Sequence, residues 1–169
     1  DWLFAFVLEN ATPVDIFTAG TEPPFAINLR MGLPEAALCL IISLTGLLSA
    51  LAMEEALFAL GRRAMAVLLV ATLAFCGLVL TRDIFNLFVF FELAAISTGG
   101  LVLLSDDERA LSAGFKYMIV SQVVSILLLI GIIFAYHATG TLNIDGMAES
   151  IPGVLSGRQP GFVLAFFLM

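Results

Sequence analysis

The chain has 169 residues, of which 61% are hydrophobic and 12% charged, and its mean hydropathy is +1.09. Soluble domains are about half apolar and about a quarter charged, so a soluble globular domain is excluded, and so is intrinsic disorder. With 14 acids against 7 bases and a net charge of -7, no basic face exists for nucleic acid. The composition is that of an integral membrane protein.

In chain order, Trp2 to Leu8 resembles the tail of a helix, so residues 1–8 are expected to be a partial span. Asn10 to Pro34 carries Pro13, Gly20, Pro23, Pro24, Gly32 and Pro34, and breakers at that density predict a loop outside the bilayer. A helix crossing about 30 Å of hydrocarbon needs about 20 residues. Four stretches qualify: 35–53, 64–81, 84–105 interrupted only by Glu92, and 109–136 interrupted only by Lys116. They are too long and too continuously apolar for barrel strands, which alternate. The polar joint Glu54–Arg63 separates the first two. Arg82-Asp83 is so short that the helices beside it must be antiparallel neighbours, and Ser105 to Arg109 is a charged turn. His137 to Pro160 carries Gly140, Gly146, Pro152, Gly153 and Gly157 and predicts a second external loop. Gly161 to Met169 resembles the start of a further helix, giving a partial span at 161–169. The expected fold class is all-α, a polytopic transmembrane helix bundle with four complete spans and two partial ones. Both ends look cut, as in a fragment of a larger polytopic protein.

Alternation puts Arg62, Arg63, Arg109 and Lys116 on one side of the membrane and Arg30, Arg82 and Arg158 on the other. The positive-inside rule then places the Glu54–Arg63 and Ser105–Arg109 joints in the cytoplasm. Cys39 and Cys76 each lie in an apolar run and are expected to act as small hydrophobes. One His, two separated Cys and no Gly-rich phosphate loop leave no metal or cofactor ligand set and no catalytic site in this chain.

Glu92 is the informative residue. It lies eight positions into its span, about 12 Å deep at 1.5 Å per residue. An ionised carboxylate there costs about 2.5 kcal/mol or more, so it must face protein or water, or carry a proton. Burial favours the neutral form of a carboxyl group and a nearby cation favours the charged one. A carboxyl held between those influences can exchange protons. Ala95 and Gly99 share its helix face and leave room for a close neighbour or for water. Lys116 sits about 10 Å inside the boundary, where it can snorkel back to the interface. In antiparallel helices its Cα and that of Glu92 differ in depth by about 9 Å, and their side chains lean apart. The expected relation is water-bridged rather than a tight ion pair. Ser121, Gln122 and Ser125 lie on the far side of their helix from Lys116 and are expected to make interhelical hydrogen bonds, as are Ser97 and Thr98. His137, where its helix exits, is a weak candidate for proton access. Arg82 and Asp83 are expected to pair with each other or with headgroups, and Asp83 to cap the helix beginning at Ile84.

Thr81-Arg-Asp-Ile-Phe-Asn-Leu-Phe-Val-Phe-Phe-Glu92 closely resembles the antiporter-like subunits of respiratory complex I and their relatives, the Mrp-type multisubunit sodium/proton antiporters and the membrane-bound hydrogenases. Within that group it looks most like Mrp D-type and hydrogenase-type subunits. Ala113-Gly-Phe-Lys-Tyr117 resembles the family's lysine-bearing sixth helix, Tyr136-His-Ala-Thr-Gly-Thr-Leu-Asn143 the loop after it, and Glu22-Pro-Pro-Phe-Ala-Ile27 the segment before the third. The resemblance implies a fold of about fourteen helices, of which this chain holds about a third, with broken helices and an inverted repeat further on. It implies that Glu92 is the helix-five proton-path glutamate and Lys116 a helix-six lysine, with the main channel lysine on the next helix. It also implies a multi-pass subunit in a prokaryotic cell membrane, partnered by other membrane subunits, the lipid bilayer, protons and sodium. Its role would be proton translocation in a cation/proton antiporter, or in a redox complex such as an NADH-quinone dehydrogenase or hydrogenase. The chain departs from its relatives at Thr98-Gly99-Gly100, where they often carry Tyr, and at Arg82, where a small residue is common.

Overall fold

The computed structural model describes residues 9, 12–18, 26–104 and 107–156. The partial spans expected at 1–8 and 161–169, and Glu22 to Phe25 of the Pro-Pro segment, lie outside the described residues. The elements are β1 (Val14–Phe17), β2 (Asn28–Met31), α1 (Leu33–Ala52), α2 (Glu54–Leu60), α3 (Arg62–Leu80), α4 (Ile84–Leu103), α5 (Glu108–Thr139) and α6 (Ile144–Ser156). Four of them, α1, α3, α4 and α5, are long and apolar enough to cross a membrane. No more than 22% of any of these spans is buried within the chain, and Leu, Ile, Val and Phe crowd their outward faces. An outer surface of that kind suits lipid or neighbouring membrane helices, not water. The chain is therefore an integral multi-pass membrane protein.

The four long helices pack as a row, α1 on α3, α3 on α4 and α4 on α5. Small residues set the spacing, as expected where hydrophobicity cannot drive helices together inside lipid. Ala64, Ala71, Ala74 and Gly77 are the buried residues of α3, and Ala94, Ala95, Ser97 and Gly99 those of α4. A Cβ on Gly77 would stand 2.3 Å from the Phe90 ring, so this glycine is the socket for that ring. At 32 residues α5 is about 48 Å long, more than the hydrocarbon thickness, so it projects from the membrane or tilts. It stops at Gly140, whose φ of 73° lies in the left-handed region that favours glycine.

Three stretches expected to be irregular are structured. Within Asn10–Pro34, β1 and β2 form an antiparallel hairpin, Val14 opposite Met31 and Phe17 opposite Asn28. The prolines flank these strands instead of interrupting them, so they do not prevent pairing. The Glu54–Arg63 joint contains α2. The second loop is shortened from both ends: α5 runs on to Thr139, and α6 begins at Ile144. Asn143 starts α6 by accepting from Gly146 N at 3.0 Å, and Met147 packs on Ala135 beside Ile84 and Phe134.

The joint Thr81–Asp83 ties these pieces together. Arg82 N donates to Asn28 O at 2.8 Å, Ile84 N to Leu142 O at 2.9 Å, and Ile144 N to Arg82 O at 2.9 Å. An extended tripeptide thus lies between β2 and the strand-like start of α6, and its backbone groups are matched on both sides. That satisfaction is obligatory for a connection so close to lipid.

The socket at Gly77 makes a prediction. Gly77→Leu overpacks the contact of α3 with α4 and destabilises the protein by about 1–3 kcal/mol. Thermal unfolding of the full-length protein in detergent measures this. Adding Phe90→Ala to the same protein restores part of the loss, because the clashing ring is gone.

Candidate functional site

The site forms where α4 meets α5. On α4, Glu92, Ala95 and Gly99 share one stripe, and a Cβ on Gly99 would come within 2.7 Å of Met118 Cγ on α5. The helices are therefore close enough for short polar side chains to meet. Gln122 Nε2 donates to Glu92 Oε2 at 2.8 Å. The second oxygen, Glu92 Oε1, is enclosed and has no hydrogen-bond partner among the described residues. One turn along α5, Ser125 is 2% exposed and its Oγ is likewise unpartnered. A cavity of about 280 Å³ lies between α3, α4 and α5, lined mostly by apolar side chains such as Phe75, Phe91 and Val124 with Thr98, Tyr117 and Ser121 among them; Glu92, Gln122 and Ser125 are not on its wall.

The other hydroxyls of the α4 face are spoken for. Ser97 donates to Leu93 O at 2.6 Å and Thr98 to Ala94 O at 2.7 Å. Both turn back onto α4, so the interhelical bonds expected of them do not form; a Ser or Thr in a helix can reach the carbonyl four residues earlier. Among Ser121, Gln122 and Ser125, Gln122 makes the interhelical bond. Sequence reasoning groups it with the serines and does not pair it with Glu92. Summing depths from the Ser105–Arg109 turn finds it, because residues equally far from a turn face each other across antiparallel helices.

Lys116 is exposed. It lies six residues before Gln122, about 9 Å along the helix axis, and forms no ion pair with Glu92. Among the described residues the ion pairs link Arg30 to Asp15 and Asp145, and Arg82 to Asp145. His137 lies in the last turn of α5, about 22 Å beyond Gln122 along the axis. Asp83 is buried and accepts from Asn86 N at 2.8 Å, at the start of α4. Asn86 in turn donates to Thr81 Oγ1 at 3.0 Å. Cys39 and Cys76 are free and face each other's helices, with Cys39 Sγ 3.9 Å from Cys76 O.

At the same end as Asp83 lies a charge ladder. Arg30 Nε donates to Asp15 Oδ1 at 2.9 Å, Arg30 Nη1 reaches Asp145 Oδ2 at 3.1 Å, and Arg82 Nη2 donates to Asp145 Oδ1. Two acids and two bases alternate across β1, β2, the α3–α4 joint and α6. This corrects the pairing expected for Arg82, whose partner is Asp145 and not Asp83. Asp83 spends its carboxylate on the backbone of α4, and Arg82 is left to reach across to α6. The Arg82 hydrogen bond holds the Asp145 carboxyl below the usual carboxylate range, aided by the charges of Arg82 and Arg30.

Comparison with known proteins gives this geometry its relatives. Residues 81–169, just over half of the chain, match the family described as NADH:quinone oxidoreductase/Mrp antiporter, transmembrane. The chain belongs to this family. It is 39% identical over 95 residues to a Na(+)/H(+) antiporter subunit of Alkalihalophilus pseudofirmus, covering 53% of this chain and 19% of that protein. It is 37% identical over 135 residues to an NADH-quinone oxidoreductase subunit, of the N type, from Syntrophobacter fumaroxidans, covering 79% of this chain and 27% of that one. A chain of the membrane-bound sulfane sulfur reductase, an archaeal respiratory membrane complex, superposes with a TM-score of 0.89 at 32% identity, covering 99% of this chain and 34% of that chain. The chain thus spans about a third or less of the length of these family members. The match begins at Thr81, so the joint, Glu92, Gln122 and α6 all lie in the family's segment.

The ladder makes a prediction with a definite sign. Asp145 is held low in the folded state, so its contribution is complete above the ordinary Asp range near pH 4 and fades as pH falls through its lower folded value. Hydrogen exchange at Ile144 N, bonded to Arg82 O, reports it. Asp145→Asn speeds that exchange by about fivefold at neutral pH, the scale of a partly exposed ion pair. The effect of the substitution shrinks as pH falls below about 4 and is lost once pH passes the lower folded value of Asp145, where the wild-type carboxyl is itself neutral.

Proposed function

We propose that this chain forms part of the proton path of a proton-translocating membrane subunit in a multisubunit cation/proton antiporter, with Glu92 the group that takes up and releases the proton. The observation that carries this reading is the divided state of the carboxyl group. One oxygen is held by Gln122, and the other is enclosed and unmatched. An enclosed carboxylate oxygen without a donor is expensive to keep. A group that alternates between acid and carboxylate needs one fixed partner and one oxygen free to meet a proton or a water.

In this proposal a lysine tunes Glu92. Each unit of modulation corresponds to about 1.4 kcal/mol. Lys116 acts through water, since about 9 Å of helix separates it from the level of Gln122. The resemblance supplies a stronger base on the next helix. His137 is a secondary point of proton access. Asp83 serves by fixing the start of α4 and hence the depth of Glu92. The chain carries no cofactor of its own. Its partners are other membrane subunits, lipid, protons and sodium, and the bacterial and archaeal relatives support a prokaryotic cell membrane. The similarity to subunits of NADH-quinone oxidoreductase and of the sulfane sulfur reductase complex supports a second reading, in which the same proton path is driven by electron transfer in a partner subunit. Iron-sulfur signals in the purified native complex would select it; a complex free of them selects the antiporter.

Glu92→Gln in the full-length protein, assembled in its native complex and assayed in vesicles with a pH-sensitive dye, lowers proton transport by at least about tenfold, because an amide keeps the shape and cannot carry the proton. Unchanged transport removes Glu92 from the path. Lys116→Ala lowers it less, and a loss under twofold assigns Lys116 to snorkelling at the interface.

A further inference from the structure

We infer that Gln122 is the positioning residue of the Glu92 site, a neutral amide that serves as hydrogen-bond partner to both protonation states of the carboxyl group. The inference rests on Glu92 being the proton-carrying group. Its physical basis is the double character of a primary amide, which holds two N–H donors and a carbonyl acceptor on one rotatable end. With Glu92 ionised, Gln122 Nε2 donates to Oε2, the 2.8 Å contact in the structure. With Glu92 protonated, its O–H donates to the Gln122 amide oxygen after a turn about the last side-chain torsion. Lysine and arginine, which have donors only, serve one of these states and oppose the other.

The surroundings leave this role to Gln122. The helices packed against α4 are α3 and α5. At the level of Glu92, α3 offers Cys76, whose thiol turns instead toward Ser43 Oγ of α1 at 4.0 Å. On α5, Lys116 and Tyr117 lie toward the Ser105–Arg109 turn, and Tyr136 and His137 lie at the opposite end. Arg62 and Arg63 open α3, and Glu108 and Arg109 open α5. Among the described residues, Gln122 is the group hydrogen-bonded to the Glu92 carboxyl. The contact therefore sets both where the carboxyl group points and how readily it lets go of its proton.

The test uses the full-length protein in its native complex, with vesicle transport measured across pH for wild type, Gln122→Met, Gln122→Asn and Glu92→Gln. Methionine keeps the length and removes both amide functions. Both states lose a bond, but the carboxylate loses the stronger one, so the acid limb of the Gln122→Met profile moves to higher pH by about one unit, the scale of the difference between a hydrogen bond to a charged and to a neutral group. Gln122→Asn keeps the amide one methylene shorter and shifts the profile less. A lower rate with an unmoved profile makes Gln122 merely structural and overturns the inference, as do equal shifts in both variants. Wild-type transport in Glu92→Gln instead overturns the reading of Glu92 itself. Should Gln122→Met fail to assemble, infrared difference spectra of the wild-type complex decide: a Glu92 carboxylic acid band at the position of a hydrogen-bonded acid supports the inference, and one at the free-acid position overturns it.

Discussion

The tripeptide Thr81–Asp83 is the constraint on which the rest of this structure depends. It joins two apolar helices with too few residues to leave any slack, so α3 and α4 are antiparallel neighbours with one register. That register seats Phe90 in the socket at Gly77. Two residues later on α4 comes Glu92, whose depth is thereby set. Asp83 fixes the first turn of α4 from its own side chain, and Asn86 ties Thr81 to the same turn. On the outside, the joint's backbone is matched by β2 and by the start of α6. Arg82 and Asp145 add charge to a contact already made by hydrogen bonds.

Inside the bundle the governing problem is polar satisfaction without water. Half of the Ser and Thr hydroxyls in the long helices solve it locally. Thr45, Thr72, Ser97, Thr98 and Thr139 all donate to the carbonyl four residues earlier. They become nearly inert, and the helices remain free to pack through small residues. Against that background, among the described residues of the long helices, the enclosed oxygens of Glu92 and Ser125 find no partner; Asn28 Oδ1 and Arg82 Nε are the same case outside those helices. Glu92 and Ser125 lie on facing helices about one turn apart. Unsatisfied polar groups are expensive to keep, which is why these two positions bear on the proposed path.

The amino-acid sequence makes the spans and the acid plain because both are large effects. Twenty apolar residues have few other destinations, and a carboxyl group eight residues into such a run costs too much to be incidental. Asp83 before Ile84 is equally legible, since a cap is a local interaction. What is not legible depends on pairing across distance. The hairpin is hidden because Pro and Gly density marks broken helix and says nothing about strands that fit between the breakers. The helix α6 is hidden because its stabilising contact, Met147 on Ala135, is tertiary. The Arg82–Asp145 pair spans 63 positions, and no local pattern announces it. Gln122 is missed for a subtler reason: the pattern along α5 relates it to Lys116, the other conspicuous charge, when the relevant reference is the opposing helix.

Among the described residues a neutral amide, and not a base, touches Glu92, and for the proposed path that has a physical logic. A direct lysine or arginine contact in a low-dielectric bundle would hold the carboxylate so firmly that a proton would rarely return. At the other extreme, any carboxyl group enclosed by apolar helices without a partner favours its neutral form. An amide falls between these extremes, because it stabilises the charge modestly and costs little to bury beside a neutral acid. The distance of Lys116 then becomes useful. In the proposed path, a cation about 9 Å away along the axis, acting through water, would bias the equilibrium without locking it, and small movements of charge elsewhere in the subunit would tip the acid either way. A proton path needs that near-balance more than it needs a strong bond.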